Sequence, residues 1–349
     1  MKAVLNQNNE FRKVQKVDPF KCILNANLDQ SEKYSKHVDI NQIYKSNNHT
    51  LLSYACKNGH IETVQFLLEQ NDINVNKCQV LAKACKDGYI DIVKLLLQKD
   101  DIDVNLWAPL TQASRYGHIN IVKLLLQKDG IDVNYYEPLL HACISAHINI
   151  VQLLLQKDAI DVNQCAPLRV ACEHGNIDIV NLLLKKDGIN VNHWSGPLAT
   201  ACKNGHVDIV QLLLNQDGID INDWNGPLSL ACENGHIDIV QLLLEQDDID
   251  VNHWMGPLTL ACKNGHIKIV QLLLEQDGID INHFTQPIAK ACVNRYIDIV
   301  ELLLKQNGII IPENLYVYNM LVKLQKYELL ELFTEKQINQ YKIDWIEKF

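Results

Sequence analysis

No stretch of this 349-residue chain approaches the roughly 18 uninterrupted apolar residues of a membrane-spanning helix, so no membrane span is expected. Basic residues are in the minority, 32 Lys and Arg against 42 Asp and Glu, for a net charge of −10. A general nucleic-acid binder needs a basic face to neutralise phosphates, so that partner class is set aside. The opening MKAVLNQNNEFRK turns polar too soon for a secretory leader. Asn48-His49-Thr50 is therefore read as a fortuitous sequon rather than a glycosylation site. Also missing are a P-loop, a glycine-rich dinucleotide turn, a zinc-type cysteine pair and a nucleophile elbow. No catalytic centre, metal site or cofactor is expected, and the reading is of a non-enzyme.

What the chain has instead is a returning phrase: PLATACKNGHVDIVQLLL at 197–214, PLSLACENGHIDIVQLLL at 227–244 and PLTLACKNGHIKIVQLLL at 257–274. One valine marks the register at Val64, Val93, Val122, Val151, Val180, Val210, Val240, Val270 and Val300, in steps of 29 that lengthen to 30. A fixed period in this range signals stacked repeats, and one stack can take a length that would otherwise suggest two or three domains. The 47% of apolar residues is ample for its core.

Most of the 11 cysteines belong to the template: Cys56, Cys85, Cys143, Cys172, Cys202, Cys232, Cys262 and Cys292 share one position, where Ser114 stands in the third repeat. Equivalent atoms of stacked helices lie roughly 8–10 Å apart, whereas a disulfide needs Cα atoms within about 7 Å. These thiols are expected to be buried packing groups. Cys22, Cys78 and Cys165 lie off this ladder.

Within one repeat, 227–252, Pro227 suits a first helical turn. Leu228, Leu230, Ala231 and Cys232 give a short helix, and Gly235 ends it as a residue free to adopt positive φ. A second, largely apolar helix follows from Ile237 to Leu244, with Asp238 and Gln241 on its polar stripe. Helices this short fall below the ~12–15 residues needed for marginal stability alone, so neighbouring repeats must cover them.

The pattern L-x-x-A-C-x-x-G-H-x-x-I-V-x-L-L-L followed by D-V-N resembles the ankyrin repeat over about 50–334. The fold this implies is all-α, an ankyrin-like helical-hairpin solenoid with about nine repeats plus N- and C-terminal caps. The expected division is 1–49 for an N-terminal segment with a helical cap over 11–38, 50–311 for the array, and 312–349 for a degenerate cap repeat and an amphipathic tail. The family's T-P-L-H is reduced here to Pro-Leu, and the connection after D-V-N is cut to three or four residues (Leu106–Ala108, His193–Gly196). The fingers should be stubby, with little strand.

The resemblance implies a non-enzymatic scaffold that presents a concave face to a protein or peptide. A second reading is an adaptor that delivers clients to an enzyme complex through a terminal segment. A cytoplasmic monomer is expected, with the nucleus as the alternative compartment. His60, His118, His147, His206, His236 and His266 repeat in one slot, where Tyr89, Asn176 and Tyr296 substitute, and are read as turn-stabilising hydrogen bonders. Asn105, Asn134, Asn163, Asn192 and Asn252 are read as backbone hydrogen bonders. The Asp-rich connections lack the ligand order of a calcium loop.

Two constellations depart from the template. One is an aromatic ladder beside the fingers: Trp107, Tyr136, Trp194, Trp224, Trp254 and Phe284. Its rings are expected either to stack on one another or to bind a partner, with His193, Asp223, His253 and His283, which precede the last four, more exposed. The other surrounds the fourth repeat: Tyr135-Tyr136, His141, and Ile144-Ser145-Ala146, with Tyr116, Arg169 and His174 nearby. An aromatic and apolar patch there is a candidate docking surface. A row of mixed charge, Lys57, Lys86, Arg115, Glu173, Lys203, Glu233 and Lys263, accompanies it.

Overall fold

The structure, a computed structural model, describes residues 39–44, 48–194 and 196–310. Among them are 18 α-helices and no strand, the sole β-type pairing being an isolated antiparallel bridge between Tyr44 and His49. That bridge lies in the first connection, which the sequence makes longer than the others. The helix expected at 11–38 and the cap repeat and tail expected at 312–349 lie outside the described residues.

By their contacts the described residues form two compact units, 39–44, 48–167 and 181–188 in the first, and 168–180, 189–194 and 196–310 in the second. The first contains the hairpins α1 (Leu51–Lys57) and α2 (Ile61–Leu68), α3 (Val80–Asp87) and α4 (Ile90–Leu96), α5 (Pro109–Arg115) and α6 (Ile119–Leu125), and α7 (Pro138–Ile144) and α8 (Ile148–Leu155). α9 (Pro167–Glu173) and α10 (Ile177–Leu184) fall at the division. The second contains α11 (Pro197–Asn204) and α12 (Val207–Leu214), α13 (Pro227–Asn234) and α14 (Ile237–Leu244), α15 (Pro257–Asn264) and α16 (Ile267–Leu274), and α17 (Pro287–Val293) and α18 (Ile297–Leu304).

α13 shows why each hairpin forms. Pro227 takes the first helical position, and Gly235 closes the helix at φ 78° while its N–H bonds the Ala231 carbonyl. His236 then starts α14, whose Ile239, Val240 and Leu243 are buried. In the first unit α1, α3, α5 and α7 pack in succession, as do α2, α4, α6 and α8; in the second, α11, α13, α15 and α17 form one row and α12, α14, α16 and α18 the other. All nine register valines are fully buried. Each buried leucine contributes roughly 1.5–3 kcal/mol, and only stacking provides that burial to helices of seven or eight residues.

Polar side chains join successive hairpins at two places. Asn252 Nδ2 donates to the Gly278 carbonyl at 2.8 Å while its Oδ1 accepts from Asp280 N at 2.7 Å. Asn105 does the same to Gly130 and Asp132 in the first unit. Asp250 Oδ1 holds Asn252 N at 3.0 Å, so this carboxylate serves its own turn. At the other end of the hairpin, His236 Nε2 lies 3.0 Å from the Lys203 carbonyl and His118 Nε2 2.9 Å from that of Lys86. A carbonyl only accepts, so Nε2 carries the proton. The histidine thus secures the turn of the preceding repeat rather than its own.

The eight ladder cysteines are buried free thiols. Burial pushes Cys143, Cys172 and Cys292 up to about 12 and the others higher still, which leaves them protonated and unreactive. Cys165 is exposed, and its Sγ lies 3.1 Å from Glu137 Oε1. Cys22 lies outside the described residues.

Candidate functional site

The shortened connections aim their aromatic residues outward. In the first unit Trp107 and Ala108 are both left-handed (φ 65° and 56°), as are Tyr136 and Glu137 (56° and 58°). The Ala108 and Glu137 amides close these turns on the carbonyls of Asn105 and Asn134. Two consecutive left-handed residues reverse the chain within three positions and bring it to Pro109 or Pro138 at the head of a helix. In the second unit the residue before the proline is left-handed at Gly196, Gly226, Gly256 and Gln286, and it is the one such residue in the turns that end on the last three.

Trp107 and Tyr136 are consequently 54% and 64% exposed. The Tyr135 and Tyr136 rings meet edge to face, centroids 4.8 Å apart. Thr111 Oγ1 donates to the Tyr135 carbonyl at 2.9 Å, tying this finger to α5.

Beneath the two fingers, α3, α5 and α7 floor a groove of about 640 Å³. Its lining includes the aromatic residues Trp107, Tyr135 and Tyr136, the cationic Lys83, Lys86 and Arg115, and the polar Gln79, Gln112 and His141. No aspartate or glutamate lines it. Tyr116 caps α5 beside the groove, its ring centroid 5.4 Å from Lys86 Nζ and 5.9 Å from Arg115 Cζ. Lys83 Nζ is anchored on the Cys78 carbonyl at 2.7 Å and on His49 Nδ1 at 2.9 Å. Burial pulls the Lys83 ammonium pKa down, Cys78 opposing and Lys57 adding to the shift. Burial also lowers His141, reinforced by Arg115 and opposed by Glu137. His141 is therefore held toward its neutral form.

The family model for ankyrin repeats (three copies) matches residues 20–107, 71–137, 110–195, 192–254 and 247–314. The chain belongs to the ankyrin repeat family. No curated protein matches it. Ankyrin repeats are generally protein–protein interaction modules, and the family is typically non-enzymatic.

Of the residues singled out by sequence, the groove in these ankyrin repeats gathers Trp107, Tyr135, Tyr136 and His141, with Tyr116 at its edge. Ile144 is exposed at the end of α7 but does not line the groove. Arg169 and His174 belong to the second unit, where Arg169 pairs with Glu173 at 2.7 Å and His174 Nδ1 bonds the Val170 carbonyl. Lys83, Gln79 and Gln112 are groove residues that sequence reasoning missed. Lys83 had a signal, since it sits three positions before Lys86 and so shares its helix face.

The aromatic ladder of the second unit corrects two expectations. Trp194, Trp254 and Phe284 each lie against the histidine preceding them in the chain, and no ring of the ladder stacks on another among the described residues. Trp194 is 74% exposed. Asp223, His253 and His283, expected to be more exposed than the rings, are buried, and His193 is half-buried. The cause is local bonding. Asp223 Oδ1 accepts from Asn225 N at 2.9 Å, and His283 Nδ1 meets Thr285 Oγ1 at 2.7 Å. These polar groups turn inward to hold the finger, and the next residue points out. Burial lowers the His253 pKa, opposed by Asp250 and Asp223.

No group of three or more metal-ligating side chains occurs among the described residues, and none of their helices is long and apolar enough to cross a membrane.

Proposed function

We propose that this ankyrin-repeat chain is a non-enzymatic interaction scaffold whose recognition surface is the aromatic and basic groove of the first unit. The partner is a protein or peptide. The observation that carries this reading is the convergence of Trp107, Tyr135 and Tyr136 with Lys83, Lys86, Arg115 and His141 on one cavity. Tryptophan, tyrosine and arginine are the side chains that most often dominate interface energies. Here the aromatic residues project from short, hydrogen-bonded turns, so little backbone ordering opposes association. The protein acts by rigid presentation, as a monomer in the cytoplasm.

The test is affinity capture with a photo-crosslinker at Gln112, comparing wild type with a Trp107→Ala/Tyr136→Ala double variant. A partner that crosslinks to wild type and is lost from the variant, with unchanged circular dichroism, supports the groove. Capture independent of both aromatic residues moves the recognition surface elsewhere.

A further inference from the structure

The groove's charge says what the partner must carry. Lys57, Lys86 and Arg115 hold corresponding places at the ends of α1, α3 and α5. A basic residue in a last helical turn complements the helix dipole, which accounts for one cation per helix. It does not account for Lys83 in the middle of α3, nor for the lack of any carboxylate on the groove wall. Neither Lys86 nor Arg115 is ion-paired with a carboxylate among the described residues; both sit instead over the Tyr116 ring.

The corresponding row in the second unit is arranged differently. There Glu233 lies 3.9 Å from Lys263, and Glu173 is paired with Arg169. A chain with a net charge of −10 has carboxylates to spare. Yet the groove of its first unit gathers Lys83, Lys86 and Arg115 with no carboxylate among its lining residues.

Resting on the groove reading above, we infer that this groove recognises an extended acidic peptide segment of a partner protein, with carboxylates at i and i+3 on Lys86 and Arg115. The spacing comes from the stacking. Neighbouring helices lie about 8–10 Å apart, and a peptide in the polyproline-II form advances about 3.1 Å per residue with three residues per turn, so residues i and i+3 share one face about 9 Å apart and meet successive cations. The peptide side chains between the acidic ones lie against Trp107 and Tyr136.

The test uses the full chain and fluorescein-labelled nonapeptides that carry a glutamate pair at separations of two to five residues with a leucine between them. Glutamine and lysine counterparts serve as controls. The expected result is tightest binding at a separation of three. The glutamine peptide should bind about tenfold more weakly, a difference of about 1.4 kcal/mol, and added salt should weaken the glutamate peptide. A Lys86→Glu/Arg115→Glu variant should reverse the preference toward the lysine peptide, and Lys86→Gln/Arg115→Gln should abolish it. Both sites are exposed, so folding is checked simply by circular dichroism.

The inference is overturned if glutamine peptides bind equally well, if charge reversal leaves the preference intact, or if no peptide binds at about 1 mM, a level worth only about 4 kcal/mol. It is equally overturned if a nine-nucleotide oligouridylate outcompetes the glutamate peptides through the same two residues. A partner lost on Trp107→Ala/Tyr136→Ala but indifferent to Lys86→Glu/Arg115→Glu would leave the groove standing and remove its acidic ligand.

Discussion

Ser114 is the one ladder position where a hydroxyl replaces the thiol, and its buried Oγ has no hydrogen-bond partner among the described residues. An unpaired buried hydroxyl costs about 1–3 kcal/mol. Ser114→Ala or Ser114→Cys should therefore raise stability by about 1 kcal/mol, read as a higher urea midpoint. Cys202→Asp should do the reverse, because it places a carboxylate in a fully buried site. A loss of about 4 kcal/mol or more is expected from denaturant unfolding, and a silent substitution would contradict the packing role. The cysteine ladder was legible in the sequence because its period alone separates it from a disulfide pattern. The inward turn of Asp223, His253 and His283 was not, because it depends on hydrogen bonds to residues two positions on, which leave no periodic trace.

At the level of the helical hairpin, Gly88 and His118 act as a pair. Gly88 is left-handed at φ 83°, and a Cβ added there would lie 2.5 Å from His118 Cε1. Gly88→Ala should cost about 2 kcal/mol from backbone strain and the displaced ring. His118→Ala in the same background should recover part of that loss, so a double-mutant cycle on denaturation midpoints should show coupling of at least about 0.5 kcal/mol. Additive effects would mean that the ring and the turn do not interact. Sequence reading placed both residues at a turn and made the histidine a turn-stabilising hydrogen bonder, without saying which turn it serves. The pairing joins the α3–α4 turn to the α5–α6 turn of the next repeat, a relation that a single repeat read in isolation does not contain. The groove was half-visible for a similar reason. Its aromatic residues broke the template and drew notice, whereas Lys83 and Gln112 look ordinary until α3 and α5 are set side by side.

At the scale of the whole molecule, three histidines among the described residues couple folding to acidity. Burial lowers His49, His141 and His253 below the ordinary value of 6.5, Lys83 and Lys57 contributing at His49 and Arg115 at His141. A base whose folded pKa lies below its unfolded value binds protons more readily once unfolded. Its contribution is intact above the unfolded value and is lost as pH falls below it. The thermal midpoint should therefore be lower at about pH 5.5 than at about pH 7.5. His253→Gln should shrink that difference, and a midpoint unchanged over this range would contradict the burial of these rings. The family architecture was legible from one end of the array to the other, because stacked repeats put most of their folding information into period and composition.

The recurring asparagine and histidine bonds that join successive hairpins end on main-chain atoms of the neighbour: Asn252 grips the Gly278 carbonyl and the Asp280 amide, and His236 the Lys203 carbonyl. Main-chain groups are the same whatever residue bears them. A gene for such a chain can therefore gain or lose a whole thirty-codon block by unequal exchange, and the new seam closes without further mutation. The near-identity of 197–214, 227–244 and 257–274 is what recent duplication of that kind would leave behind.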